Sequence, residues 1–201
     1  RRAPEMHSRV VTGAWAGNDH GMNSYSLSGK TLGLVGLGNI GTLVAERAQA
    51  LGMTIIFADP RRATSPKQEW TKHTFEGLLT NSDYISFHVH LSNQTRHMIN
   101  SKNIAMLKRQ PFLINVSRAD LIERRALVDA LDKETIRGVA IDAHYEEPTD
   151  ASDPLLQYGN VLFSPHVAGS TVDSYRDTLT ACVENIRLSL LRGAPNGLLT
   201  S

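Results

Sequence analysis

The amino-acid sequence predicts an α/β fold, a doubly wound parallel sheet with helices on both faces. Three observations predict it. Gly36-Leu37-Gly38-Asn39-Ile40-Gly41 follows an apolar run over 32–35 and precedes a run of helical periodicity, the order of strand, glycine-rich turn and helix that a dinucleotide-binding turn requires. A second apolar run, 54–58, ends in Asp59, eighteen residues beyond Gly41. Past Asp59, short apolar runs alternate with helical segments, the pattern of a parallel sheet covered on both sides. Together these describe a single Rossmann-like domain.

Each element has its own reason. Gly36 allows the tight turn, Gly38 lets a pyrophosphate approach the backbone, and Gly41 lets helix pack on strand. Phosphates then meet free N–H groups at a helix N-terminus. Ile40, Leu43, Val44, Ala48 and Leu51 recur at three- and four-residue steps and form the expected buried stripe of that helix, which Gly52 stops. Asp59 stands where a carboxylate reaches the ribose hydroxyls of an adenosine, which favours NAD. Arg61 and Arg62 stand close enough to keep some use of NADP open, and Asp59 also reads as a turn residue before Pro60. Further strands are expected at 84–87, 112–115, 138–141 and 161–163. Helices are expected at 102–107, 123–131 and 171–192, the last opened by Ser170 with Asp173 three residues on.

The 201 residues are 41% hydrophobic and 20% charged, enough for one good-sized domain with a buried core. A net charge of +1 supplies no basic field, so nucleic acid is not an expected partner. No apolar stretch approaches the length of a membrane span, and no metal site is expected. One cysteine, Cys182, excludes a disulfide framework, points to a reducing, cytoplasmic compartment, and is expected to be buried and inert in its helix. Signal-peptide patterns, repeats and low-complexity segments are not evident. The chain starts at Arg1-Arg2-Ala3-Pro4 without methionine, which suggests a piece of a longer protein.

In such a sheet ligands bind outside the carboxyl ends of the strands. The residues expected there are the glycine turn, Asp59, His88, Arg118 after Asn115-Val116-Ser117, Asp142, and His166 after Ser164-Pro165. Pro165 holds Ser164 extended and so places His166 rigidly, and Pro148 is expected to do the same for Glu147. Histidine exchanges protons near neutral pH, and a carboxylate beside it orients the ring, so His166 with Glu147 forms a candidate acid/base pair; the alternative is a structural histidine. His88 is a candidate cofactor neighbour. Arg118 offers a planar fork for a substrate carboxylate, or else a surface ion pair with Asp120 or Glu123.

Four blocks carry a family resemblance: Leu27-Ser28-Gly29-Lys30-Thr31-Leu32-Gly33-Leu34-Val35-Gly36-Leu37-Gly38-Asn39-Ile40-Gly41; Asn115-Val116-Ser117-Arg118; Gly138-Val139-Ala140-Ile141-Asp142 through Glu146-Glu147-Pro148; and Ser164-Pro165-His166-Val167-Ala168-Gly169-Ser170-Thr171. In order and spacing the chain resembles the D-isomer-specific 2-hydroxyacid dehydrogenases. The resemblance implies that Arg118, Glu147 and His166 are the catalytic arginine, glutamate and histidine. It implies an NAD site in which Asn39 and Ile40 meet the pyrophosphate and Val89, next to His88, lies by the adenosine. Val116, Ser117, Ala168 and Gly169 would flank the nicotinamide, and Asp142 would accept from its carboxamide. The substrate would be a small 2-hydroxy or 2-oxo acid, and the protein a homodimer through the cofactor domain. An NAD(H)-sensing corepressor is similar to the same family and remains an alternative. Ala119, His90 and Ala143-His144 depart from the usual pattern, while Glu147 argues against the formate dehydrogenase branch. The resemblance further implies that 1–28 is an interdomain helix and linker, 29–170 the NAD-binding domain, and 171–201 a helix and tail that return to a substrate domain preceding this chain.

Overall fold

Seven short strands form one sheet, and their apolar runs explain why. The structure, a computed structural model, describes residues 3–15 and 24–192. Residues 1–2, part of the expected linker (16–23) and the tail beyond 192 lie outside the described residues. The order of elements is α1 (Ala3–Val11), β1 (Thr31–Val35), α2 (Asn39–Ala50), β2 (Thr54–Ala58), β3 (Thr71–Lys72), α3 (Phe75–Asn81), β4 (Tyr84–Phe87), β5 (Phe112–Asn115), α4 (Arg124–Asp132), β6 (Gly138–Ile141), β7 (Val161–Phe163) and α5 (Val172–Arg192). All pairings are parallel, in the order β3-β2-β1-β4-β5-β6-β7. Strands covered on both faces carry near-continuous apolar runs, and Leu34, Phe57, Ile85, Phe87 and Leu113 are fully buried here.

The register places the site. Val35 pairs with Ala58 on one side and Phe87 on the other, Phe87 pairs with Asn115, Asn115 with Ile141, and Ile141 with Phe163. Six strands therefore end in one row. The residues that follow, Asp59, Gly36, His88, Val116, Asp142 and Ser164, emerge along a single edge. Chain order reverses between β1 and β4, which makes that point the topological switch where a crevice opens.

The expected strands form with those bounds, β1 starting one residue earlier. The predicted stripe on α2 holds at Ala48, which is buried, and at Val44, which packs on the core, but Gly41 and Ala45 complete the buried face, while Ile40 is 65% exposed and Leu43 and Leu51 are also exposed. Close approach decides this. A Cβ on Gly41 would lie 2.4 Å from Gly36 O, so the helix meets the sheet by its smallest residues and turns the larger ones outward.

The helix expected over 102–107 reduces to a single 3-10 turn, Ile104–Met106. Asn100 Oδ1 accepts from Lys102 N at 2.9 Å and Asn103 Oδ1 from Asn100 N at 3.0 Å. Such local side-chain bonds compete with a helix. The start of α5 is also shifted: Thr171 and Ser174, rather than Ser170 and Asp173, exchange reciprocal bonds at 3.0 Å. Cys182 is exposed and not buried, because α5 turns most of its apolar residues, Tyr175, Leu179, Val183 and Ile186 among them, to solvent instead of to the sheet. Among the described residues no helix is long and apolar enough to cross a membrane, and no cluster of three or more His, Cys, Asp or Glu could hold a metal ion.

Candidate active site

The glycine turn is built for close approach on one side and openness on the other. Gly36 has φ +89°, and a Cβ there would lie 2.7 Å from both His88 O and Val89 Cγ1. His88 and Val89 thus pack directly on the turn. Around Gly38 a Cβ would meet nothing within 4 Å. Gly38 caps α2 with no side-chain hydrogen bond, so Asn39 and Ile40 begin a twelve-residue helix whose first N–H groups have no side-chain acceptor. Thr42 Oγ1, in the first turns of α2, is buried and has no partner in the structure. An open cradle, uncapped N–H groups and an orphaned hydroxyl fit a dinucleotide pyrophosphate.

Asp59 serves the turn as well as facing it. It is 5% exposed; Oδ2 accepts from Leu37 N and Oδ1 from Arg61 N, both at 2.9 Å. The turn reading holds, since the second bond makes the turn after β2, and a carboxylate with two donors keeps lone pairs for two more. His88 hydrogen-bonds Ser86 Oγ through Nε2 at 2.9 Å. Burial pushes its pKa down to about 4, so its ring is neutral above that range.

Past β5 the chain is braced by Asn115, whose role sequence reasoning missed. Its Nδ2 donates to Arg118 O at 2.8 Å and its Oδ1 accepts from Ser117 N at 3.2 Å, while Ser117 Oγ donates to Phe87 O at 2.9 Å. Val116 and Arg118 are left exposed. The alternative of an ion pair for Arg118 does not hold. Asp120 is taken by Arg96, Glu123 Oε2 accepts from Ser101 N, and among the described residues Arg118 Nη1 donates only to its neighbour Ser117 O at 2.7 Å.

His166 and Glu147 meet. Nδ1 of His166 lies 2.9 Å from Oε1 and 3.0 Å from Oε2 of Glu147, which makes Nδ1 the donor and leaves Nε2 free. The bond from His166, followed by the backbone N–H of His144, holds the Glu147 carboxyl below its ordinary range. The Glu147–Pro148 peptide bond is cis. His166 has φ +55°, a left-handed conformation that costs about 1–2 kcal/mol outside glycine.

Asp142 holds that conformation in place. Its backbone oxygen accepts from His166 N at 2.9 Å, Oδ1 accepts from Ser164 Oγ at 2.6 Å and Val167 N at 3.0 Å, and Oδ2 from Ala168 N at 3.0 Å. Burial opposes its charge, but the bonds from Ser164, Ala168 and Val167 outweigh it and keep the pKa low. Its carboxylate is thus committed first to the loop carrying His166, with Oδ2 retaining room for one further donor. Gly169 faces open space as Gly38 does. Arg118 and His166 each stand three residues beyond strands β5 and β7, which are separated by β6, so both follow strands that end at one edge of the sheet.

The D-isomer specific 2-hydroxyacid dehydrogenase, NAD binding domain, family model matches residues 1–168. A glyoxylate reductase of Korarchaeum cryptofilum is 36% identical over 190 residues, covering 92% of this chain and 57% of that protein. The solved glyoxylate reductase from Paecilomyes thermophila superposes with a TM-score of 0.83 at 31% identity, over 94% of this chain and 57% of that one. The NAD-complexed D-isomer specific 2-hydroxyacid dehydrogenase of Lactobacillus delbrueckii ssp. bulgaricus gives 0.79 at 29% identity, over 93% and 60%. The chain thus spans less than two thirds of the length of these proteins. With the parallel order of its sheet, its open glycine cradle and a family match over most of its length, the chain belongs to the D-isomer specific 2-hydroxyacid dehydrogenases, as their NAD-binding domain.

Proposed function

We propose that this chain is the cofactor half of an NAD-dependent dehydrogenase that interconverts small D-2-hydroxy acids and 2-oxo acids. The observation that carries the reading is the contact of His166 Nδ1 with both Glu147 oxygens, at the same sheet edge as an arginine that has no carboxylate partner among the described residues. NADH, when bound, supplies the hydride that reaches the carbonyl carbon. Arg118 grips the substrate carboxylate through its fork and orients the carbonyl. His166, its Nδ1–H fixed on Glu147, gives the Nε2 proton to the carbonyl oxygen as the alcohol forms. Ionised Glu147 stabilises the imidazolium that must be present beforehand, and in the oxidative direction His166 takes the proton back. Positioned proton transfer of this kind contributes about 10²- to 10⁴-fold.

The same proposal divides the chain into an interdomain segment at 1–28, the NAD-binding domain at 29–170, and a returning helix and tail at 171–201, with the substrate domain preceding. The incomplete coverage of the relatives supports that division, as does the exposed apolar face of α5. A homodimer through the cofactor domain, a cytoplasmic location and the absence of nucleic-acid partners belong to the proposal too; the lone cysteine and near-zero net charge support the last two. The test is NADH oxidation by the protein with its substrate domain, against a panel of 2-oxo acids headed by glyoxylate, the compound named for the relatives, with the configuration of chiral products determined. D-configured product is expected. Reduction of no panel member, or an L product, would overturn the assignment.

A further inference from the structure

The acid/base pair is divided between two segments, 142–147 and 163–166, and neither member is fixed by packing: the side chains of His166 and Glu147 are 46% and 44% exposed. Their geometry therefore depends on how those segments are joined. Two side chains outside the pair join them, Asp142 through the Ser164 hydroxyl and His144 through the Ser164 carbonyl, and only His144 also contacts Glu147. His144 donates its backbone N–H to Glu147 Oε1 at 2.9 Å, and its ring Nε2 lies 2.9 Å from Ser164 O. A carbonyl oxygen only accepts, so Nε2 is the donor in this contact. The ring also stacks on Phe163, with centroids 5.8 Å apart and planes at 17°.

Ser164 precedes His166 by two residues, with Pro165 between them. A closed circuit results, running from Glu147 to the His144 backbone, from the His144 ring to Ser164, through Pro165 to His166, and from His166 Nδ1 back to Glu147. Ser164 is gripped twice, at its hydroxyl by Asp142 and at its carbonyl by His144. Loss of one grip leaves the other, so the loop stays folded while the angle of His166 relaxes. The titratable groups acting on this circuit are Glu147, Asp142, His166 and His144 itself.

We propose that His144 is a positioning residue for the His166–Glu147 pair: its Nε2–H bond to the Ser164 carbonyl sets where His166 Nδ1 meets the carboxylate, and it takes no part in proton transfer to substrate. Ring packing alone would be served equally by phenylalanine. A hydrogen bond would not.

The proposal rests on reading His166 and Glu147 as the acid/base pair, but its test reads the unliganded chain, so a failure of hydride transfer and a failure of this coupling are seen separately. Imidazole ¹H–¹⁵N correlation spectra are recorded through the neutral pH range for the parent, His144→Phe and His144→Gln. In the parent, His144 is expected as the Nε2–H tautomer. In His144→Phe, which keeps the stack and the backbone N–H, the His166 Nδ1–H signal is expected to move upfield and to exchange faster with water as its bond to Glu147 loosens. His144→Gln, whose amide N–H has a similar reach, restores it. An Nδ1–H tautomer for His144 in the parent would overturn the proposal without any variant. So would an unchanged His166 Nδ1–H signal in His144→Phe, or a glutamine variant that stays folded and behaves as phenylalanine does.

Discussion

Replacing Gly38 by alanine separates folding from cofactor binding. Gly38 has φ −78° and ψ −158°, backbone that alanine adopts, and its Cβ would meet nothing within 4 Å. The cost to stability is therefore about 0.5 kcal/mol, most of it from the weaker capping preference of alanine. The same methyl group projects into the space a pyrophosphate needs to reach the N–H groups of α2. At an overpacking cost of about 2 kcal/mol, NADH affinity falls roughly thirtyfold. Gly36 behaves in the opposite way. With φ +89° and a Cβ 2.7 Å from His88 O and Val89 Cγ1, alanine there incurs a left-handed penalty of about 1–2 kcal/mol and a clash of about 1–3 kcal/mol. Urea unfolding and NADH fluorescence titration of both variants are the assays. A Gly38→Ala variant that binds NADH as the parent does, or a Gly36→Ala variant as stable as the parent, would refute the division of labour within the turn.

Asp59→Ala is expected to erase the preference for NADH over NADPH and, by leaving Leu37 N–H unpaired, to lower stability by about 1–3 kcal/mol; parallel titrations with the two cofactors would count against the assignment if the preference survived. His88, with a folded pKa of about 4 against 6.5 unfolded, carries no penalty above pH 6.5. As pH falls below that value the unfolded state binds the proton first, so stability declines until about pH 4, by up to about 3 kcal/mol. His88→Gln should flatten that limb of the pH–stability profile, and an equal slope in both proteins would contradict the cause given. Arg118→Lys is expected to raise KM for the 2-oxo acid at least about tenfold, since a point charge replaces a fork, with stability unchanged to within about 0.5 kcal/mol; an unaltered KM would remove Arg118 from the carboxylate.

Strands were legible because each is a short apolar run bounded by polar or glycine residues, and β2 through β7, apart from two-residue β3, form where those runs lie. The glycine turn was legible for the same reason, as a pattern of local steric needs. The buried face of α2 was legible only at Val44 and Ala48. Large apolar residues suggested one stripe, whereas the distance between helix and turn selected Gly41 and Ala45. The region of β3 and α3 carries little periodicity: β3 is two exposed residues, and α3 is fixed by Thr74, which accepts from Gly77 N at 3.0 Å.

In the site, side-chain identity pointed to Arg118, Glu147 and His166, but not to what holds them. Asn115 and His144 reach backbone carbonyls, and Ser164 the Asp142 carboxylate, that only the folded loops bring near. Asparagine at a strand end and serine before proline were the available signals, both common in turns. The left-handed backbone of His166 had only a weak signal, since histidine is enriched at positive φ but seldom adopts it.

The proposed role of His166, held by Glu147, is that of proton donor in hydride transfer at this sheet edge. Turnover of NADH with the best 2-oxo acid is measured for His166→Ala and the parent in the protein with its substrate domain, with NADH affinity titrated in the same samples. A loss of about 10²- to 10⁴-fold in turnover with NADH affinity nearly unchanged is expected. A variant that retains most of its turnover would remove His166 from that role.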